Sequence, residues 1–121
     1  MNCNDYQATA KTFATYGGNP MYPVLGLAEE AGEVCGKIAK FIRKHEGLNP
    51  FDSLKGFGHA LSADNLKFKD DVEKELGDVC WMVAAIATEL GLSLDEIMQK
   101  NIAKLVDRKN RGVIVGEGDN R

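Results

Sequence analysis

Between Phe68 and Leu90 the apolar residues Val72, Leu76, Val79, Val83, Ile86 and Leu90 recur at alternating spacings of 4 and 3. That is the stripe a helix turns toward a neighbouring helix. A strand cannot use it, because residues on one face of a strand recur every second position. The run from Pro23 or Val24 to Lys44 repeats the pattern through Leu27, Ala31, Val34, Ile38 and Phe41. A further run, capped by Ser93 with Glu96 three residues on, carries Leu94, Ile97, Met98, Ile102, Leu105 and Val106. A shorter first segment opens with Asn4 and Gln7 at capping-box spacing, aligns Tyr6, Ala10 and Phe13, and stops before Gly17-Gly18. Strand signals are confined to Val113-Ile114-Val115, so the sequence predicts an all-α bundle of four main helices.

A chain of 121 residues supports one hydrophobic core, and residues 1–121 are read as a single domain. The periodicity breaks over residues 46–70. There Gly47, Pro50, Gly56 and Gly58 interrupt the run, while Phe51, Leu54, Phe57 and Leu61 offer apolar surface, which predicts an irregular insertion. The formal charge of −3 lacks the basic excess of a nucleic-acid binder. The longest apolar stretch, around Val79 to Ala87, is too short to span a membrane. Cys3, Cys35 and Cys80 are odd in number, widely spaced and without Cys-x-x-Cys pairing, so a reduced cytoplasm is the expected setting and small core side chains their expected role.

Two helical segments repeat one another, Glu30-Ala31-Gly32-Glu33-Val34-Cys35 and Glu75-Leu76-Gly77-Asp78-Val79-Cys80. In each, two acids three residues apart share a helix face, and each immediately precedes an apolar stripe residue. If these helices pack antiparallel, four carboxylates converge, and their repulsion is relieved by protonation or by a cation. Mg²⁺ suits such an oxygen-only site, with Mn²⁺ as a substitute. The mid-helix Gly32 and Gly77 predict close backbone approach there, since each costs about 1 kcal/mol relative to Ala. Asn101, Lys104 and Arg108 set an amide and two cations beside the stripe of the fourth helix, and Lys37 lies one turn beyond Glu33. Cations beside a carboxylate-bound metal are the complement a polyphosphate needs. Competing readings of the same residues are a non-catalytic helical adaptor with solvated acidic faces, and a nucleotide-binding protein without turnover.

The motifs Glu29-Glu30-Ala31-Gly32-Glu33 and Glu75-Leu76-Gly77-Asp78 resemble the Glu-Glu-x-x-Glu and Glu-x-x-Asp signature of the MazG-like all-α nucleoside triphosphate pyrophosphohydrolases. The similarity extends from Tyr22-Pro23 to Arg43, from Glu75 to Lys109, and into the Arg111 to Arg121 tail. It implies Mg²⁺-dependent hydrolysis of (deoxy)nucleoside triphosphates to monophosphate and pyrophosphate, with water attacking the α-phosphorus. By the same resemblance Glu30, Glu33, Glu75 and Asp78 are metal ligands, and Glu29 is a further ligand or a partner of the attacking water. Lys104 and Arg108, with Asn101 nearby, take phosphates. The longer link between the motifs is expected to cover the base or to pad an oligomer interface. Apolar stripes on three helices of a short chain predict a homo-oligomer built by helix packing, and the resemblance implies a homodimer or homotetramer.

Overall fold

The computed structural model describes residues 1–47 and 62–120. These form four helices: α1 (Cys3–Lys11), α2 (Met21–Lys44), α3 (Ala63–Glu89) and α4 (Leu94–Asn110). Among the described residues there is no strand, so the chain is all-α, and Val113-Ile114-Val115 lies in turns. No single helix among them is long and apolar enough to cross a membrane.

The α1 cap sits two residues earlier than the Asn4/Gln7 spacing suggests. Asn2 Oδ1 accepts from the Asp5 amide at 2.8 Å, and Asp5 returns the bond by accepting from the Asn2 amide at 3.2 Å. Asn4 and Gln7 are thereby released to bind the start of α4. Ala10 is buried, but Phe13 is 64% exposed, because α1 ends at Lys11 and the chain then enters the linker containing Gly17 and Gly18. Stacking of Tyr16 on Tyr22, and the Tyr16 hydroxyl donating to Glu89 at 2.8 Å, tie this linker to the far end of α3.

Helix α2 begins at Met21, a little before Pro23. Pro23 is buried in the first turn, where the missing amide hydrogen of proline breaks no helical bond. At the other end, His45 and Gly47 donate to Phe41 and Ile42, and Glu46 and Gly47 both take positive φ, turning the chain away. Helix α3 begins at Ala63, so residues 63–70 of the expected irregular insertion are helical. Ser62 Oγ accepts from the Asn65 amide, ion pairs Lys67–Asp71 and Lys74–Asp70 brace the first turns, and Phe68 is anchored on Phe41. Phe51, Leu54, Phe57 and Leu61 lie outside the described residues.

Helices α2 and α3 pack antiparallel in constant register: Gly26 meets Met82, Phe41 meets Phe68 at 4.5 Å between centroids, and Lys44 meets Asp64. Helix α3 turns a different face, rich in Ala84, Ala85 and Ala87, inward as well, and α1 packs on it. The small core there joins Ala10, Ala84 and Leu94, flanked by Tyr6 and Trp81. At Gly91 the chain bends by 105° into α4. Gln7 of α1 clamps this elbow: its Nε2 donates to Leu92 O and Thr88 Oγ1, and its Oε1 accepts from the Leu94 amide. Ser93 caps α4 as its spacing predicts, and Leu94 is buried. The rest of the α4 stripe stays open, with Ile102 61%, Val106 51% and Met98 47% exposed.

Candidate metal centre

The register of α2 against α3 brings Glu30, Glu75 and Asp78 together, with one ligand oxygen from each lying within 4.8 Å of the others. Two of these residues are half-buried and one is exposed. Burial pushes the Glu30 carboxyl above the usual glutamate range, and the charges of Asp78, Glu29, Glu75 and Glu33 push it further. Lys37 Nζ reaches across from α2 to Glu75 at 3.0 Å, and that bond holds its ammonium above the usual lysine range. The result is an acid cluster short of positive charge, with one cation already in place on its flank.

Six oxygens around Mg²⁺ at 2.0–2.1 Å stand about 3 Å from their neighbours, so carboxylates grouped this closely need only modest rotations to share one ion. The donor set is all oxygen, which fits Mg²⁺ or Mn²⁺ and offers no thiolate or imidazole to a softer metal.

Of the residues expected to converge, Glu33 lies outside this trio, exposed at its rim, and Glu29 is exposed beside Glu30. Helix α4 packs chiefly on α1, and among the described residues no ion pair or hydrogen bond joins its cations to the acids. Instead the tail folds back. Arg108, 4% exposed, donates to the Asp119 backbone oxygen at 2.8 Å and to its carboxylate at 3.1 Å, and Lys104 lies 3.6 Å from the same carboxylate. These cations draw the Asp119 carboxyl below the usual aspartate range, Arg108 most strongly. Asn101 is exposed.

Gly32 and Gly77 do not mark a close approach, because a Cβ built on either meets nothing within 4 Å. The intimate contact is at Gly26, one helical turn before Glu30, where a Cβ would lie 2.6 Å from Met82 Cε. Sequence spacing misses it, since the close partner is set by the α2–α3 register. Cys35 and Cys80 are exposed, so neither serves as a core side chain, whereas half-buried Cys3 packs against the Ala10, Ala84 and Leu94 core. Cys3 and Cys80 instead border an apolar cavity of about 450 Å³ between α1, α3 and α4, with Tyr6, Val83 and Met98. The Tyr6 phenol is raised above its ordinary range by burial, then by the charges of Cys80 and Asp78; Val79 and Cys80, which follow Asp78 on α3, line this cavity.

The family model of the MazG nucleotide pyrophosphohydrolase domain matches residues 22–113, which contain the acid cluster, Lys37 and all of α4. The Gene 37 protein of Mycobacterium phage L5 is 36% identical over 129 aligned residues covering the full length of both chains. No solved structure matches significantly.

Proposed function

The chain belongs to the MazG nucleotide pyrophosphohydrolase domain family, and from that premise we propose that it hydrolyses (deoxy)nucleoside triphosphates to the monophosphate and pyrophosphate with Mg²⁺. The observation that carries this reading is the meeting of Glu30, Glu75 and Asp78 across two helices, with Lys37 seated on Glu75. Those three carboxylates would hold the ion, and Glu33 joins them from the rim. When bound, Mg²⁺ supplies Lewis acidity, polarising phosphoryl oxygens and lowering the pKa of water.

The chain's own residues do the remaining work. Burial and the neighbouring acids raise the Glu30 carboxyl, and a bound cation would favour its ionised form. Glu29, exposed beside it, accepts the proton of the water that attacks the α-phosphorus in line. The bond from the α-phosphorus to the bridging oxygen breaks, and pyrophosphate leaves with its electron pair. Lys37 balances the charge that builds on the departing oxygens. The apolar cavity beside Tyr6 suits the nucleoside end of the substrate, since it is nearly free of polar lining. Lys104 and Arg108 are held by the exposed Asp119 carboxylate, with Asn101 on the same helix, so these residues would join the site only where the tail releases them.

The test is pyrophosphate release from the eight common ribo- and deoxyribonucleoside triphosphates, with Mg²⁺ and with chelator. Turnover is expected only with the cation. Asp78→Asn is expected to abolish it while leaving the metal-free melting temperature unchanged or higher, because one repelling charge is gone. An Asp78→Asn protein with wild-type activity would refute the assignment.

A further inference from the structure

Along the α2–α3 seam the acids give way to lysines. Helix α2 presents Glu30, Glu33, Lys37, Lys40 and Lys44 at spacings of 3, 4, 3 and 4, a single stripe turned toward α3. Just past the Lys37–Glu75 bridge this stripe and Lys67 of α3 enclose a cavity of about 220 Å³. Its base is aromatic: Phe41 and Phe68, both buried, with His45 stacked on Phe41 at 4.2 Å. Four ammonium groups line it against two carboxylates, Asp64 paired with Lys44 at 3.1 Å and Asp71 paired with Lys67 at 2.7 Å. A solvated, ion-paired helix face carries such charges without a cavity. Here they surround an open groove whose floor is apolar and whose rim ammoniums, Lys44 and Lys67, are exposed to an incoming anion.

We propose that this groove is a diphosphate site: it receives the β- and γ-phosphates of the triphosphate and retains pyrophosphate after cleavage. The nucleotide half of this statement rests on the function proposed above; the anion site stands on its own charges. Helix rise decides which lysines matter. From Glu30, Lys37 lies about 10 Å and Lys40 about 15 Å along α2, within reach of the second and third phosphates of a chain whose first sits over the acids. Lys44 lies about 21 Å away, beyond a triphosphate, and forms the far wall. Lys67 closes the opposite side from α3. A volume of 220 Å³ holds the equivalent of about seven waters, enough for a diphosphate that keeps part of its hydration.

The experiment is calorimetric titration of the full chain in EDTA with inorganic pyrophosphate and, separately, orthophosphate. It is run on wild type, Lys40→Gln, Lys67→Gln, their double variant, and Lys109→Gln as a control for general charge. In parallel, pyrophosphate inhibition of Mg²⁺-dependent triphosphate turnover is measured. Pyrophosphate is expected to bind wild type at least about ten-fold tighter than orthophosphate. Each groove variant should lose about 5- to 10-fold and the control none. KM for triphosphate should rise with kcat nearly unchanged, and monophosphate inhibition should stay the same. The proposal is overturned if the double variant, folded by circular dichroism, keeps wild-type pyrophosphate affinity, or if wild type shows no preference for pyrophosphate. Lysine-dependent pyrophosphate binding in a protein that turns over no nucleotide would sink the proposed function and leave the groove standing. Normal turnover with lysine-independent inhibition would do the reverse.

Discussion

Gly26→Ala tests how tightly the α2–α3 packing holds the acids in register. A methyl at this position would lie 2.6 Å from Met82 Cε and 2.7 Å from Sδ, closer than nonbonded carbon or sulfur tolerates. Met82 is 3% exposed, so its flexible tail must repack within the core to make room. Overpacking of this kind costs about 1–3 kcal/mol. Ala gains about 1 kcal/mol of helix propensity over Gly, leaving a net loss of roughly 0–2 kcal/mol. In a chain of this length each kcal/mol moves the melting temperature by about 3–6 °C. Gly77→Ala, with open space around its Cβ, takes the propensity gain alone and is expected to raise the melting temperature by a similar few degrees. A double-mutant cycle isolates the clash: with Met82→Ala in the background, Gly26→Ala should become stabilising. Thermal denaturation followed by circular dichroism reads all the variants. Refutation would be Gly26→Ala stabilising the protein as much as Gly77→Ala does, with no coupling to Met82.

Two further outcomes are expected. Because the Asp119 carboxyl is depressed by Arg108 and Lys104, docking of the tail is fully present above the ordinary aspartate pKa of about 3.9 and is lost only as pH falls through the lower folded value. Hydrogen exchange over residues 113–119 should therefore be protected at neutral pH and released at that pH by Asp119→Asn; equal protection in both proteins would contradict the pairing. The open stripe on α4 should be covered by a second copy, so light scattering is expected to give a dimer or tetramer at micromolar concentration and Ile102→Glu a smaller species. A wild-type monomer would rule this out.

The helix-spaced stripes read along the chain locate α2, α3 and α4 to within a few residues, because long amphipathic segments carry their own signal. The paired acidic motifs likewise mark the trio that meets. Other features depend on partners the local pattern does not reveal. Leu76 is 49% exposed although it sits squarely on the α3 stripe, while Ala84, Ala85 and Ala87, too small to stand out, form the face that receives α1. Gly32 and Gly77 look like contact points through their repetition, yet the contact falls on Gly26. Arg108 reads as a phosphate-binding cation beside the α4 stripe, yet the tail, far weaker in pattern, supplies Asp119 as its partner.

The clamp made by Gln7 ties together residues far apart in the chain, since it joins α1 to Leu92 and Leu94, and Asn4 adds Ser93 and Asp95. A nine-residue helix is too short to persist alone in water, so α1 acquires its structure only on a surface that α3 and the elbow already provide. Its docking is therefore expected to be coupled to the formation of that surface rather than independent of it. Its departure strips Tyr6 and Cys3 from the apolar cavity and frees the elbow in the same event. Entry to that cavity and release of the elbow are therefore expected to be coupled through the docking of α1.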